Sequence, residues 1–160
     1  MTPDHHKIEA LSDYDQAVDE IIRQATRSLK IFDINLRGAG YNSPARIELL
    51  QNFLHLNRAN RLTLILHDTS YLQRECPRLI GLLRLFSHSC SVYQTTEEAK
   101  SVSDPFIVAD DTHYLHRFHH DYPRALLALN DPEGALDIAR RFNEILNASE
   151  PSAPATTLGL

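Results

Sequence analysis

Five residues combine proton-transfer and anion-binding chemistry and lie at or just beyond short runs of apolar residues: Asp33, His67, Asp68, Arg117 and His119. An imidazole at His67 or His119 exchanges a proton near neutral pH. The guanidinium of Arg117 can clamp a phosphate or carboxylate through two parallel hydrogen bonds. Together the five describe a polar pocket for a small anion. The competing reading is a structural network in which Arg117 is a buried counter-ion for Asp33 or Asp68, a common arrangement where strands end. Both readings stay open at the level of sequence, and the network is the blander one.

Other chemistries find little support. His113, His116, His119 and His120 bring four imidazoles close in sequence, but residues three apart on a strand point to opposite faces. There is no H-x-H pair and no H-E-x-x-H, so nothing fixes a metal's ligand set. Gly38-Ala39-Gly40 lacks the third glycine of a dinucleotide loop, and no G-x-S-x-G elbow occurs. Cys76 and Cys90 have neither C-x-x-C spacing nor an evident activating base, and read as core thiols rather than a bridge. Asp110-Asp111 reads as turn chemistry. The expectation is no metal and no cofactor.

Elements must position these residues. Leu11, Tyr14, Val18, Ile21, Ile22 and Ala25 recur at helical spacing, with Ser12 as cap. Leu29–Asp33 reads as a short strand. Ser43-Pro44 opens a second helix, and the apolar stretch Leu62–His67 reads as a strand buried on both faces. A third helical region, from Thr69 to Ser87, must break or restart at Pro77. Strands follow at Cys90–Gln94, Phe106–Ala109, His113–Phe118 and Arg124–Leu129, and Asp131-Pro132 opens a last helix. The order is α-β-α-β-α-β-β-β-β-α. It predicts an α/β fold with a mixed, mostly parallel sheet, a C-terminal antiparallel hairpin and helices on both faces. Ligands in such a sheet sit beyond the carboxyl ends of the parallel strands.

Residues 1–10 read as a loose N-terminus, 11–148 as one domain and 149–160 as a disordered tail. The chain has 160 residues, 42% of them hydrophobic, enough for one buried core. It has neither a leader pattern nor an apolar run of about 20 residues, so a cytoplasmic location is expected. The formal net charge is −5. That balance argues against nucleic acid and against an anionic membrane surface as partners.

Several stretches carry a resemblance. They are Leu29–Asp33, the helix-then-strand run from Leu49 to Asp68, Phe106–Asp111, and the closing helix around Phe142–Leu146. Over Ser12 to Ala148 the chain resembles one half of the phospholipase D superfamily. Cys76–Leu79, Asp104–Phe106 and His113–Phe118 further resemble a bacterial phospholipase D-like domain of unknown function. In that superfamily a strand carries H-x-K and then an aspartate. With Asp110 as that aspartate, the His and Lys positions fall on Ser103 and Pro105; with Asp111, on Asp104 and Phe106. The resemblance thus implies a pseudoenzyme: a non-catalytic module that binds a small anion or docks to a partner enzyme. Because such halves pack in pairs, it also implies a homodimer or a partner protein. The alternative is a phosphodiesterase or hydrolase of altered chemistry using His67 or His119 with Arg117.

Overall fold

The structure is a computed structural model that describes residues 2–152. Three apolar strands form its centre: β2 (Ser28–Asp33), β3 (Arg61–Leu66) and β4 (Cys90–Thr95). All three are parallel, with Leu29 opposite Leu62 and Leu62 opposite Cys90. Parallel neighbours need crossovers. These are α2 (Pro44–Leu56) between β2 and β3, and the pair α3 (Ser70–Glu75) and α4 (Pro77–Leu85) between β3 and β4. The break between α3 and α4 falls at Pro77, as its missing N–H requires.

The chain then crosses to the other flank of β2. β5 (Phe106–Ala109), β6 (His113–Arg117) and β7 (Ala125–Leu129) follow one another through short turns, so each pairing is antiparallel. The mixed sheet with helices on both faces is as expected. Parallel pairing is confined to β2, β3 and β4, because hairpin turns permit only antiparallel neighbours.

Two expectations about the chain ends are corrected. Within the expected loose N-terminus, β1 (Asp4–Ile8) pairs with β7, and within the expected tail β8 (Ser149–Pro151) pairs with β4. Both strands are held by main-chain hydrogen bonds, which leave little trace in side-chain patterning. Residues 153–160 lie outside the described residues. The complete order across the sheet is β1-β7-β6-β5-β2-β3-β4-β8.

The side chains alternate between two cores. On one face Leu29, Ile31, Leu62, Leu64 and Ile107 pack under α1 (Leu11–Gln24), α2 and α4. On the other, Phe32, Ile65, Phe106 and Val108 pack under the single helix α5 (Pro132–Asn147), through its stripe of Ala135, Ala139, Phe142 and Ile145. The starts of α2 and α5 match their sequence signals: Ser43 and Asp131 accept N–H bonds from Arg46 and Gly134, each followed by proline. Among the described residues no helix is long and apolar enough to cross a membrane.

Candidate functional site

The carboxyl ends of β2, β3, β4 and β6 lie along one edge of the sheet, and the five candidate residues gather near it without converging. Asp33 and Arg117 share one cavity. They line it with Tyr14 and Tyr41, on the face covered by α1 and α2. The Arg117 guanidinium lies 4.8 Å from the Tyr14 ring centroid, and its Nε donates to the Tyr122 carbonyl at 2.6 Å. Burial pushes the Asp33 carboxyl above its ordinary value, against the opposing pull of the Ile34 N–H and the Arg117 charge. Burial likewise raises the phenols of Tyr14 and Tyr41. The cavity wall is braced by buried Arg46, which donates to Asp19 at 2.6 Å and to the Ala39 carbonyl at 2.9 Å. The cavity measures about 10 Å³. That is room for about one water and too little for a phosphate.

His67 lies on the opposite face. Asp33 is paired with Leu66, so the next residue on β3 points the other way. Its ring packs edge-on against Phe32, with centroids 5.2 Å apart. Both ring nitrogens are engaged, Nδ1 with Thr95 Oγ1 and Nε2 with the Val102 carbonyl, each at 2.6 Å. Burial, with the nearby Lys100 charge, holds this imidazole below its ordinary value. Lys100 itself donates to the carbonyls of His67 and Thr95. Asp68 is exposed and accepts the Ser70 N–H at 2.9 Å, a bond that lowers its pKa. Of the five expected residues, Asp33 and Arg117 line one cavity, while His67 and Asp68 are engaged elsewhere. His119 lies beyond the end of β6, where strand alternation no longer applies.

Sequence reasoning places a loop at His119–Pro123 but not its path over this edge. Residues 118–124 fold back over the entrance to β5: His120 N donates to the Ser103 carbonyl, beside the end of β6 where Arg117 N donates to the Pro105 carbonyl, both at 2.9 Å. Between them, Asp104 accepts two bonds from Arg141 of α5 and one from His116 Nε2 at 2.7 Å. Burial works to raise Asp104, but these cationic and imidazole donors together hold it well below the carboxylate range. The signal that could have revealed this cluster was the position of Asp104 two residues before β5, whose first residue Phe106 lies opposite His116.

Outside the loop, Phe118, His119, Tyr122 and Arg124 line a groove of about 380 Å³. His119 stacks on His120 at 4.6 Å and lies 5.7 Å from the Tyr122 ring. With Asp121 the two imidazoles place ligand atoms within 4.8 Å of one another. Their planes are only 21° apart, however, so in these rotamers their in-plane lone pairs do not meet at one ion. A wider depression of about 700 Å³ lies between β1 and α1. It is a solvated surface of mixed charge, with Asp13, Asp19, Glu20, Lys7 and Arg23. Burial pushes the Cys90 thiol up to about 12, and Cys76 moves in the same direction, so neither is an activated nucleophile.

Residues 10–158 match a family model described as "Domain of unknown function (DUF7931)". No curated protein matches the sequence. Among solved structures, the chain is similar to Nuc from Salmonella typhimurium, a phospholipase D family member. The TM-score is 0.70 at 11% identity, over 94% of this chain and 99% of that one. NucT from Helicobacter pylori gives 0.66 at 13% identity, over 94% and 100%. TrmBL2, an archaeal chromatin protein described with a novel mode of DNA binding, gives 0.69 at 8% identity. That match covers 92% of this chain, which spans about half of TrmBL2, 54%. These likenesses show a phospholipase D-like fold. They also correct the exclusion of nucleic acid drawn from net charge, since a DNA-binding protein shares this architecture. Net charge averages over the whole surface, whereas recognition is local.

Proposed function

Because the chain belongs to the DUF7931 family and has a phospholipase D-like fold, we propose that it is a non-catalytic member of that architecture, a pseudoenzyme that binds a small anion at the carboxyl edge of its sheet. The observation that carries this reading is the state of Ser103-Asp104-Pro105. With Asp110 taken as the aspartate of the H-x-K motif, the nucleophilic imidazole and the ammonium would fall on Ser103 and Pro105. Asp110 is engaged in holding the fold together, since its carboxylate accepts the main-chain N–H groups of Thr26, Arg27 and Ser28 at the start of β2. The Ser103 carbonyl is roofed by His120 of the 118–124 loop, the Pro105 carbonyl accepts Arg117 N at the end of β6, and Asp104 is spent on Arg141 and His116. Phosphodiester cleavage of the superfamily type needs an imidazole free to attack phosphorus and a cation on the nonbridging oxygens. The groups here are satisfied by one another.

Volume decides where an anion can sit. The Asp33–Arg117 cavity is water-sized, so the roomier outer groove takes the ligand, at Arg124 and His119, with Arg117 adding positive potential from beneath Tyr122. The Arg124–Glu9 pair beside it spans 3.8 Å between side chains more than two-thirds exposed. It is a weak, salt-screened contact that an incoming anion readily replaces.

Two measurements test the reading. Bis-p-nitrophenyl phosphate incubated with wild type, His67→Ala and His119→Ala is expected to hydrolyse at the buffer rate in all three. Turnover by wild type that disappears in either variant overturns the non-catalytic assignment. Titration with inorganic phosphate is expected to show binding that Arg124→Gln weakens by about tenfold, the loss of one charge-assisted contact.

A further inference from the structure

The groove is built for more than an isolated anion. Its walls are aromatic: Phe118 is 50% exposed and Tyr122 62%, high values for such large apolar rings, and His119 stands between Tyr122 and His120 in a continuous run of rings. Its cationic members are Arg124 in the lining and Arg117 below the Tyr122 carbonyl. Flat apolar walls beside a guanidinium are the chemistry that holds a planar, electron-rich ring joined to a phosphate. At about 380 Å³ the groove is at the small end of single-ligand pockets. This suits one base with its sugar phosphate.

We propose that the ligand is a mononucleotide, with its base stacked on the Tyr122 and Phe118 rings and its phosphate on Arg124. This rests on the anion-binding reading above and goes beyond it by naming the ligand class. Nothing in the lining hydrogen-bonds selectively to one base edge, so preference among the four bases is small and follows stacking strength. Two acidic groups border the site, Asp121 against His119 and His120 and Glu9 against Arg124.

The test titrates the full chain with 5′-AMP, ribose 5-phosphate and inorganic phosphate, and repeats the series on Tyr122→Ala. The Tyr122 ring is exposed and its carbonyl, not its side chain, holds Arg117, so the variant keeps that contact. The expected result is 5′-AMP binding about tenfold more tightly than ribose 5-phosphate, the worth of one stacked base. Tyr122→Ala is expected to erase that advantage while leaving ribose 5-phosphate unchanged. Equal affinity of wild type for 5′-AMP and ribose 5-phosphate overturns the nucleotide assignment and leaves the anion reading standing. Absence of binding by all three overturns both. A thymidine decamer binding more than about tenfold more tightly than 5′-AMP would mean a strand site and overturn the mononucleotide assignment.

Discussion

Asp110 has a left-handed backbone, φ 58°, and a carboxylate that gathers three main-chain N–H groups and the Thr26 hydroxyl. Removing it leaves those donors unpaired. Asp110→Ala is expected to cost about 3 kcal/mol in urea unfolding, and Asp110→Asn less, because asparagine tolerates the left-handed region and keeps one acceptor. Burial works to raise this carboxyl, but the N–H groups of Ser28, Thr26 and Arg27 hold it below the ordinary 3.8. As pH falls from 3.8 through the lower folded value, the unfolded chain binds protons that the folded chain refuses, so the stability from Asp110, and likewise from Asp104, is lost in that window. Asp33 has the opposite sign. Burial raises it, so its folded form holds a proton after the unfolded chain has lost one, and stability falls as pH rises from 3.8 through the folded value. Asp33→Asn is accordingly expected to raise the melting temperature at pH 7 and to leave it nearly unchanged at pH 3. A lower melting temperature at pH 7 would mean that the carboxylate is a needed partner of Arg117.

The elements that α5 joins show how local preference and packing can disagree. Alanine at Gly134 is the better helix former by about 1 kcal/mol. A methyl group there would nevertheless stand 2.7 Å from the Tyr114 ring and 2.7 Å from Asp131 Oδ2. Tyr114 is packed in the core under α5 and cannot swing away cheaply. Gly134→Ala is therefore expected to destabilise by about 1–3 kcal/mol despite its propensity, measurable as a lower urea midpoint. The helices and inner strands were legible from sequence because burial on one or both faces imposes a pattern. Leu62–Leu66 is apolar but for Thr63, and Ala139, Phe142 and Ile145 keep helical spacing. β1 was not legible, since Asp4-His5-His6-Lys7 carries no apolar alternation and is held through its backbone. For the site, the placement of Asp33 and Arg117 along one cavity was within reach of strand alternation. The displacement of His67 was not, because it depends on the one-residue register between β2 and β3. The loop over Ser103 depends on a hydrogen bond between segments that no local signal connects.

At the scale of the molecule, β1 shields the apolar strand β7, Ala125-Leu126-Leu127-Ala128-Leu129. Four of the five β1 residues are exposed, and their charged and imidazole side chains make a poor template for further pairing. A chain beginning at Glu9 is expected to remain folded in its centre but to expose β7 as an apolar edge, with concentration-dependent light scattering that the full chain lacks. The same two end strands carry a geometric consequence. β1 and β8 occupy opposite rims of the eight-stranded sheet, seven interstrand steps apart, or roughly 33 Å. Fluorophores attached at Thr2 and Ser152 would report that span by energy transfer. A circularly permuted version would need a bridge of about ten residues to close the gap without prying either rim loose.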